Sequence, residues 1–234
     1  SPGCRPPTDT RRTEGRPLTD VRNSETCASS RERDEARTRR IARVGMIAAA
    51  YAALTLVSML FLGSLAWGPV QFRVSEAMCA LALFAPEAIP GLALGCALAN
   101  LANIALSGTG MLGMLDVVFG TAATALGAWF TWRMRRRPVL ALLGPVVANA
   151  LVVPASLPLV LQGVGFYTIP FTSVSLDGAY PAMYLFGLVS VGLGEAVVLY
   201  VLGLPLFRAL RRTPLARQLA PDADADAAGA ADES

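Results

Sequence analysis

The sequence predicts an all-α integral membrane protein, built as a bundle of six transmembrane helices. Of its 234 residues, 54% are hydrophobic and only 16% are charged, whereas soluble domains contain about 25% charged residues. The charges are concentrated near the two ends, because only ten lie between Val44 and Phe207. Apolar stretches of this kind are long enough to cross a bilayer as helices. We therefore expect a multi-pass protein of the cell membrane.

Missing residue types exclude several classes of function. The chain has no histidine and no lysine, which excludes histidine-dependent nucleophilic catalysis, histidine-ligated zinc and a lysine-containing phosphate-binding loop. The four cysteines show no CxxC spacing, and we expect them to be packing residues. An intramembrane enzyme would need a carboxylate pair or a serine with an unusual base, and no spacing supports either. We expect no enzymatic activity, no cofactor and no metal.

Two polar tails flank a membrane domain of residues 41–212. Residues 1–40 are rich in Arg, Thr, Pro and Glu and lack apolar periodicity, so we expect a disordered cytoplasmic tail. Acidic residues are mixed with its arginines, which argues against nucleic acid as a partner. Residues 213–234 end in an acidic Ala/Asp segment, which we also expect to be disordered.

The spans can be placed with the positive-inside rule, which assigns arginine-rich helix ends to the cytoplasm. The first span lies within Val44–Phe72, which carries no charge. We predict that Pro86–Pro90 is a tight cytoplasmic turn between a second span, Pro69–Ala85, and a third, Glu87–Leu106. Without this turn, the cluster Arg133–Arg137 would lie on the side opposite to the basic N-terminus. With both termini inside, the remaining spans are Met114–Trp132, Pro138–Gln162 and Tyr180–Phe207.

Small residues form a regular pattern in the first span. Gly45, Ala49 and Ala53 recur every fourth residue, and so do Ala48 and Ala52. Small residues at this spacing allow another helix to approach closely within lipid. The pattern predicts a helix-packing face.

The segment Gly68–Ala77 is the strongest candidate for a binding site. Arg73 and Glu76 form a couple of opposite charges at the edge of a span, preceded by Gln71 and Phe72. Ionisable residues at such a position mark functional sites by default. The predicted topology brings further polar residues to the outer half of the bundle, except for Glu195, which lies near the middle of its span. These further candidates are Asn100, Asn103, Asp116, Tyr180 and Glu195.

An alternative is that these groups only satisfy one another. Arg73 and Glu76 can form a plain ion pair, and Asn103 or Asn149 can join helices by hydrogen bonds. Glu195, which must be paired or protonated at its depth, can face either Asn149 or a ligand. The sequence leaves both interpretations of Glu195 open.

The segment Gly68–Ala77 and four shorter motifs resemble the QueT family. These proteins are substrate-binding (S) components of energy-coupling factor transporters, associated with queuosine precursors. The resemblance extends from about Ile41 to Arg212, and the first motif is the specific one. The shorter motifs are Pro86–Gly91, Leu115–Gly120, Gly194–Ala196 and Leu202–Pro205.

The resemblance implies a six-helix S component that binds its ligand from outside the cell. Such a subunit docks on a membrane scaffold subunit powered by two cytoplasmic ATPases, which agrees with the lack of a phosphate-binding loop. The docking face would comprise Gly45, Ala48, Ala49, Ala52 and Ala53, since S components contact the scaffold through their first helix.

The implied ligand is a 7-deazaguanine base. Its ring N–H and amino group lie side by side, where a carboxylate such as Glu76 can accept both hydrogens. Its carbonyl oxygen needs a donor, and an aminomethyl cation would need a second acid. The candidates are Gln71, Asn100 or Arg73 as donor, Asp116 or Glu195 as second acid, and Phe72, Trp67 or Tyr180 to stack on the ring.

Two other transport functions remain as alternatives. A stand-alone secondary transporter would need polar groups through the inner half of the bundle, where the sequence offers only Glu87 and Glu195. An S component for another small, vitamin-like molecule would share the fold and partners but not the ligand.

Overall fold

The computed structural model describes residues 18–62, 73–107, 110–163 and 180–214, and its regular elements are all helices. Two compact units are present, one ending at Ala42 and the other beginning at Arg43. The helices are α1 (Leu18–Leu62), the 3₁₀ helix α2 (Val74–Leu83), α3 (Ala88–Ser107), α4 (Met111–Arg133), α5 (Pro138–Ala141), α6 (Leu143–Gly163), α7 (Tyr180–Val197), and α8 (Leu204–Leu210), with the π-helical turn Val198–Gly203 between the last two.

Five helical segments of the described chain are long and apolar enough to cross a membrane, which confirms the all-α membrane class. The second predicted span, Pro69–Ala85, differs, because its described part is the ten-residue helix α2. A 3₁₀ helix rises about 2.0 Å per residue, so α2 covers roughly 20 Å of a hydrocarbon core of about 30 Å. The span-length segments are Ser29–Phe61, Ala88–Leu106, Gly113–Arg133, Pro138–Ser156 and Tyr180–Leu210.

Helix α1 begins at Leu18, within the tail that the sequence predicts to be disordered up to residue 40. Side chains of α1 contact residues one turn earlier in the same helix. Arg39 forms an ion pair with Glu35 at 3.4 Å, and the hydroxyl of Thr38 donates to the carbonyl of Asp34 at 2.8 Å. Pairs at this spacing stabilise a helix by a few tenths of a kcal/mol. The C-terminal tail lies outside the described residues from position 215 onward.

A tight turn separates α2 from α3, close to the predicted turn Pro86–Pro90. The amide of Ala88 donates to the carbonyl of Ala85 at 3.2 Å, and that of Ile89 donates to Pro86 at 3.1 Å. Pro90 then lies in the first turn of α3, where a missing N–H costs little. The two helices are therefore separate elements, as the positive-inside argument required.

Glycines bring the helices of the bundle close together. A Cβ on Gly95 of α3 would lie 2.8 Å from both the carbonyl oxygen of Ala48 and the Cβ of Tyr51, on α1. A Cβ on Gly127 of α4 would lie 2.6 Å from the Cα of Pro145, on α6. Because only glycine fits at these positions, the backbones can approach closely.

This packing corrects one part of the predicted docking face. Ala48 is only 2% exposed and lies against α3 inside the bundle, so it cannot belong to a surface that a partner reaches. Gly45, Ala49 and Ala53 are exposed, and Ala52 is half-buried. The series Ala48 and Ala52 therefore faces the inside of the bundle, and the series Gly45, Ala49 and Ala53 faces outward.

A pair of glycine substitutions tests the packing. Gly127→Ala should lower the free energy of unfolding by about 1–3 kcal/mol, because the new methyl group would overlap the backbone of Pro145. Gly45→Ala should raise it by up to about 1 kcal/mol, because a Cβ there meets nothing within 4 Å and alanine favours helix. Thermal unfolding in detergent measures both, and shifts of the same sign would contradict the packing.

Candidate ligand-binding site

The carboxylate of Glu76 is completely buried and joins three helices. Its Oε1 accepts hydrogen bonds from the Tyr51 hydroxyl of α1 at 2.5 Å and from the Thr124 hydroxyl of α4 at 3.0 Å. Its Oε2 accepts from the Cys79 thiol at 3.2 Å, one 3₁₀ turn further along α2. Glu76 is 0% exposed, so these donors replace water.

The guanidinium of Arg73 occupies the adjoining position, just before α2 begins. It is 6% exposed and donates to Asn100 Oδ1 at 3.3 Å and to Cys96 Sγ at 3.6 Å, both on α3. Asn100 in turn donates to the backbone carbonyl of Asp116 on α4, at 3.2 Å. Gly120 of α4 leaves room for this arrangement, since a Cβ there would lie only 3.2 Å from Asn100 Nδ2. Arg73 is therefore held between α2, α3 and α4.

Among the described residues, three carboxyl groups interact electrostatically with this guanidinium. Arg73 lies within electrostatic range of Glu76, Glu195 and the half-buried Asp116. Glu195 of α7 is 3% exposed and also interacts with Glu76. Burying an uncompensated charge in a membrane protein is costly. The cluster is thus rich in acid for the one arginine that it contains.

Several buried polar atoms of the bundle have no hydrogen-bond partner among the residues that the structure describes. They include Glu195 Oε2 and both amide atoms of Asn149, on α7 and α6, with the hydroxyls of Ser75 and Thr121 on α2 and α4. Buried polar atoms are normally paired, and each unpaired one costs about 1–3 kcal/mol. Within the described part of the chain, four helices thus carry buried polar atoms whose hydrogen-bonding capacity is unused.

The register of α4 and α6 shows where Asn149 lies. Pro145, one turn before it, meets Gly127 of α4, and Val153, one turn after it, packs with Ala123. Residues four apart share a helix face, so Asn149 faces α4 between these two contacts. That is the level of Thr124, the residue that donates to Glu76.

The structure brings together five of the residues that the sequence singled out and separates one. Tyr180 is 46% exposed, and its hydroxyl donates to the carbonyl of Ala155 at 2.9 Å, so it joins α7 to α6 rather than facing the cluster. Asn103 is half-buried on the next turn of α3. Gln71, Phe72 and Trp67 lie outside the described residues. The residues that meet are Arg73, Glu76, Asn100, Asp116 and Glu195.

Sequence reasoning missed four uncharged members of the cluster, which are Tyr51, Cys79, Cys96 and Thr124. Cys79 and Cys96, which we expected to be packing residues, contact Glu76 and Arg73 instead. Their spacing is a usable signal, because Cys79 follows Glu76 by three residues and Asn100 follows Cys96 by four. Tyr51 and Thr124 give no comparable signal, since other hydroxyl residues, such as Thr55 in α1 and Thr121 in α4, occur nearby in the same helices.

Comparison with known proteins identifies the family. A family model described as QueT transporter matches residues 41–212, well over half of the chain. The chain belongs to the QueT transporter family. This confirms the resemblance seen in the sequence, and with the apolar helices it makes the chain a multi-pass membrane transport protein. No match is found among curated proteins or among solved structures.

Two asparagines of this QueT transporter test whether the unpaired atoms belong to a binding site. Asn149→Leu should raise the free energy of unfolding of the ligand-free protein by about 1 kcal/mol or more, because it removes two unpaired buried groups at similar volume. Asn100→Leu should lower it by about 1–3 kcal/mol, because Arg73 loses an acceptor. Thermal unfolding of the two variants without ligand measures the difference, and destabilisation of both would make Asn149 a structural residue.

Proposed function

We propose that this chain is the substrate-binding subunit of an energy-coupling factor importer and that it captures a queuosine precursor, a 7-deazaguanine base. The observation that carries the proposal is that Glu195, in the buried cluster around Arg73, and Asn149, on α6, have polar atoms with no hydrogen-bond partner among the described residues. The proposed orientation has both termini in the cytoplasm and ligand entry from outside. The chain itself performs no chemistry in this scheme.

Glu195 is better placed than Glu76 to receive hydrogens from the base. Glu76 already accepts three hydrogen bonds, and a carboxylate offers about four acceptor positions. Glu195, in the same cluster, has one oxygen, Oε2, that accepts no hydrogen bond from the described residues. We therefore assign the ring N–H and amino group to Glu195, with Asn149 as a further partner and Glu76 as the group that holds the cluster in place.

The excess of acid favours a ligand that carries a positive charge. Three carboxyl groups lie near one arginine, so an aminomethyl cation would compensate a carboxylate that the protein leaves without a cation. A neutral base would leave that imbalance in place. The aminomethyl form of the base fits the cluster better than an uncharged form.

Partner subunits supply the energy in this proposal. The chain has no lysine, so it cannot form a lysine-containing phosphate-binding loop, and ATP hydrolysis falls to two cytoplasmic ATPases. Gly45, Ala49 and Ala53 form the exposed small-residue series of α1, which gives the scaffold subunit a surface for close helix packing.

Ligand binding can be measured on the purified subunit alone. Aminomethyl-7-deazaguanine should bind, and Glu195→Gln should weaken it about 10- to 100-fold, the effect of one charge-assisted hydrogen bond. Asn149→Leu should also weaken it, although it stabilises the free protein. The matched control is Glu87→Gln, in the turn before α3, which should keep full affinity. Calorimetry that finds no binding, or equal affinity in all variants, would contradict the proposal.

Docking is tested separately with three substitutions to leucine in α1. Ala49→Leu/Ala53→Leu should keep ligand affinity but lose co-purification with the scaffold and ATPase subunits, because dispersion contacts fall off steeply when helices are held apart. Ala48→Leu is the control for internal packing and should reduce folding and affinity together, since Ala48 lies against Gly95. If Ala49→Leu/Ala53→Leu retains the complex and uptake, the exposed series is not the docking face.

A further inference from the structure

A groove lies on the outside of the bundle, between α4 and α6. Its volume is about 290 Å³, at the lower end of the range of about 300–1,000 Å³ found for small-molecule sites. Its lining is apolar and includes Leu126, Trp129, Phe130, Val147 and Ala148. None of these residues belongs to the cluster around Arg73, so the groove is a separate feature.

Small residues of α6 face large residues of α4 along this groove. The ring of Phe130 lies against Gly144, where a Cβ would be 2.4 Å from it. Ala148, one turn further along α6, is also small, while Trp129 is 55% exposed. This apolar lining suits a long, flexible apolar chain.

One end of the groove leads to the arginine cluster. Arg133 follows Trp129 by four residues and Phe130 by three, so it shares their face of α4. Arg136 and Arg137 follow in the connection to α5, and all three guanidinium groups are exposed. The chain has no acidic residue between Asp116 and Asp177, so no acid nearby in the sequence neutralises these charges.

Arg135 has a different environment from its neighbours. Its guanidinium lies over the ring of Trp132, 4.0 Å from the ring centroid, which is the geometry of a cation–π contact. This contact anchors the connection between α4 and α5. It leaves Arg133, Arg136 and Arg137 as the charges available to a ligand.

We propose that the groove and these three arginines bind one anionic phospholipid. One acyl chain lies in the groove between α4 and α6, and the phosphate of the headgroup lies against Arg133, Arg136 and Arg137. Charge complementarity favours a lipid as the ligand, because basic pockets beside membrane helices attract anionic headgroups. The apolar groove begins next to the three arginines, where the acyl chain of such a lipid would start. The proposal is independent of which solute the chain transports.

Lipid retention by the full-length protein tests the site. Protein stripped in detergent and titrated with phosphatidylglycerol or phosphatidylcholine of identical acyl chains can be read by native mass spectrometry. The unsubstituted chain should retain phosphatidylglycerol about tenfold or more in preference, as expected for several arginines near one headgroup. Arg133→Gln/Arg136→Gln/Arg137→Gln should abolish the preference, and Ala148→Phe should reduce retention of both lipids by filling the groove.

Two matched variants separate this site from general effects. Arg208→Gln/Arg211→Gln/Arg212→Gln removes three exposed charges after α7, and Ala105→Phe adds a ring at an exposed position of α3; both should leave retention unchanged. Equal losses in the two arginine variants would reduce the effect to unspecific attraction and overturn the site. Unchanged retention in Ala148→Phe would also overturn it. Loss of a co-purifying membrane subunit with lipid retention intact would make the groove a protein interface instead.

Discussion

Glu76 brings a carboxylate into an apolar interior, and the arrangement of the helices around it follows from the need to supply that carboxylate with donors. A buried carboxylate without partners would cost more than such a bundle can tolerate. Tyr51 and Thr124 meet this need from α1 and α4, and both must approach closely. Gly95 permits that approach on the α1 side, because any larger residue would push against Tyr51. The glycines of this bundle and its central acid are parts of one arrangement.

The two acids of the interior differ in what surrounds them. Glu76 is supplied with protein donors, whereas Glu195 Oε2 has no hydrogen-bond partner among the described residues. A buried polar group that is hydrogen-bonded contributes to stability, and one that is not lowers the stability of the free protein. In the proposed function, the bundle gives up some stability at Glu195 and Asn149 in exchange for ligand binding.

Much of the fold could be predicted from composition, because long uncharged apolar stretches have few alternatives to transmembrane helices. The charged members of the site were also predictable, since Arg73, Glu76 and Glu195 are rare residue types in such segments. The 3₁₀ geometry of α2 could not be predicted, because a 3₁₀ helix and an α-helix can have the same apolar sequence pattern. The sequence also could not predict that Ala48 is buried while Ala49 is exposed. Both belong to small-residue series of the same spacing, and only the position of α3 distinguishes them.

The 3₁₀ winding of α2 has a consequence for the lengths that evolution can tolerate in this segment. With three residues per turn, side chains three apart are eclipsed, so Glu76, Cys79 and Ala82 lie on one side of α2. The amide of Glu76 also donates to the carbonyl of Arg73 at 2.9 Å, which joins Arg73 to the start of this helix. Inserting or deleting one residue would turn everything beyond it by about a third of a revolution. If the change fell between Glu76 and Cys79, the thiol of Cys79 would no longer reach the Glu76 carboxylate. The residues of α2 that contact α8 would change as well. Homologues should therefore keep the length of α2.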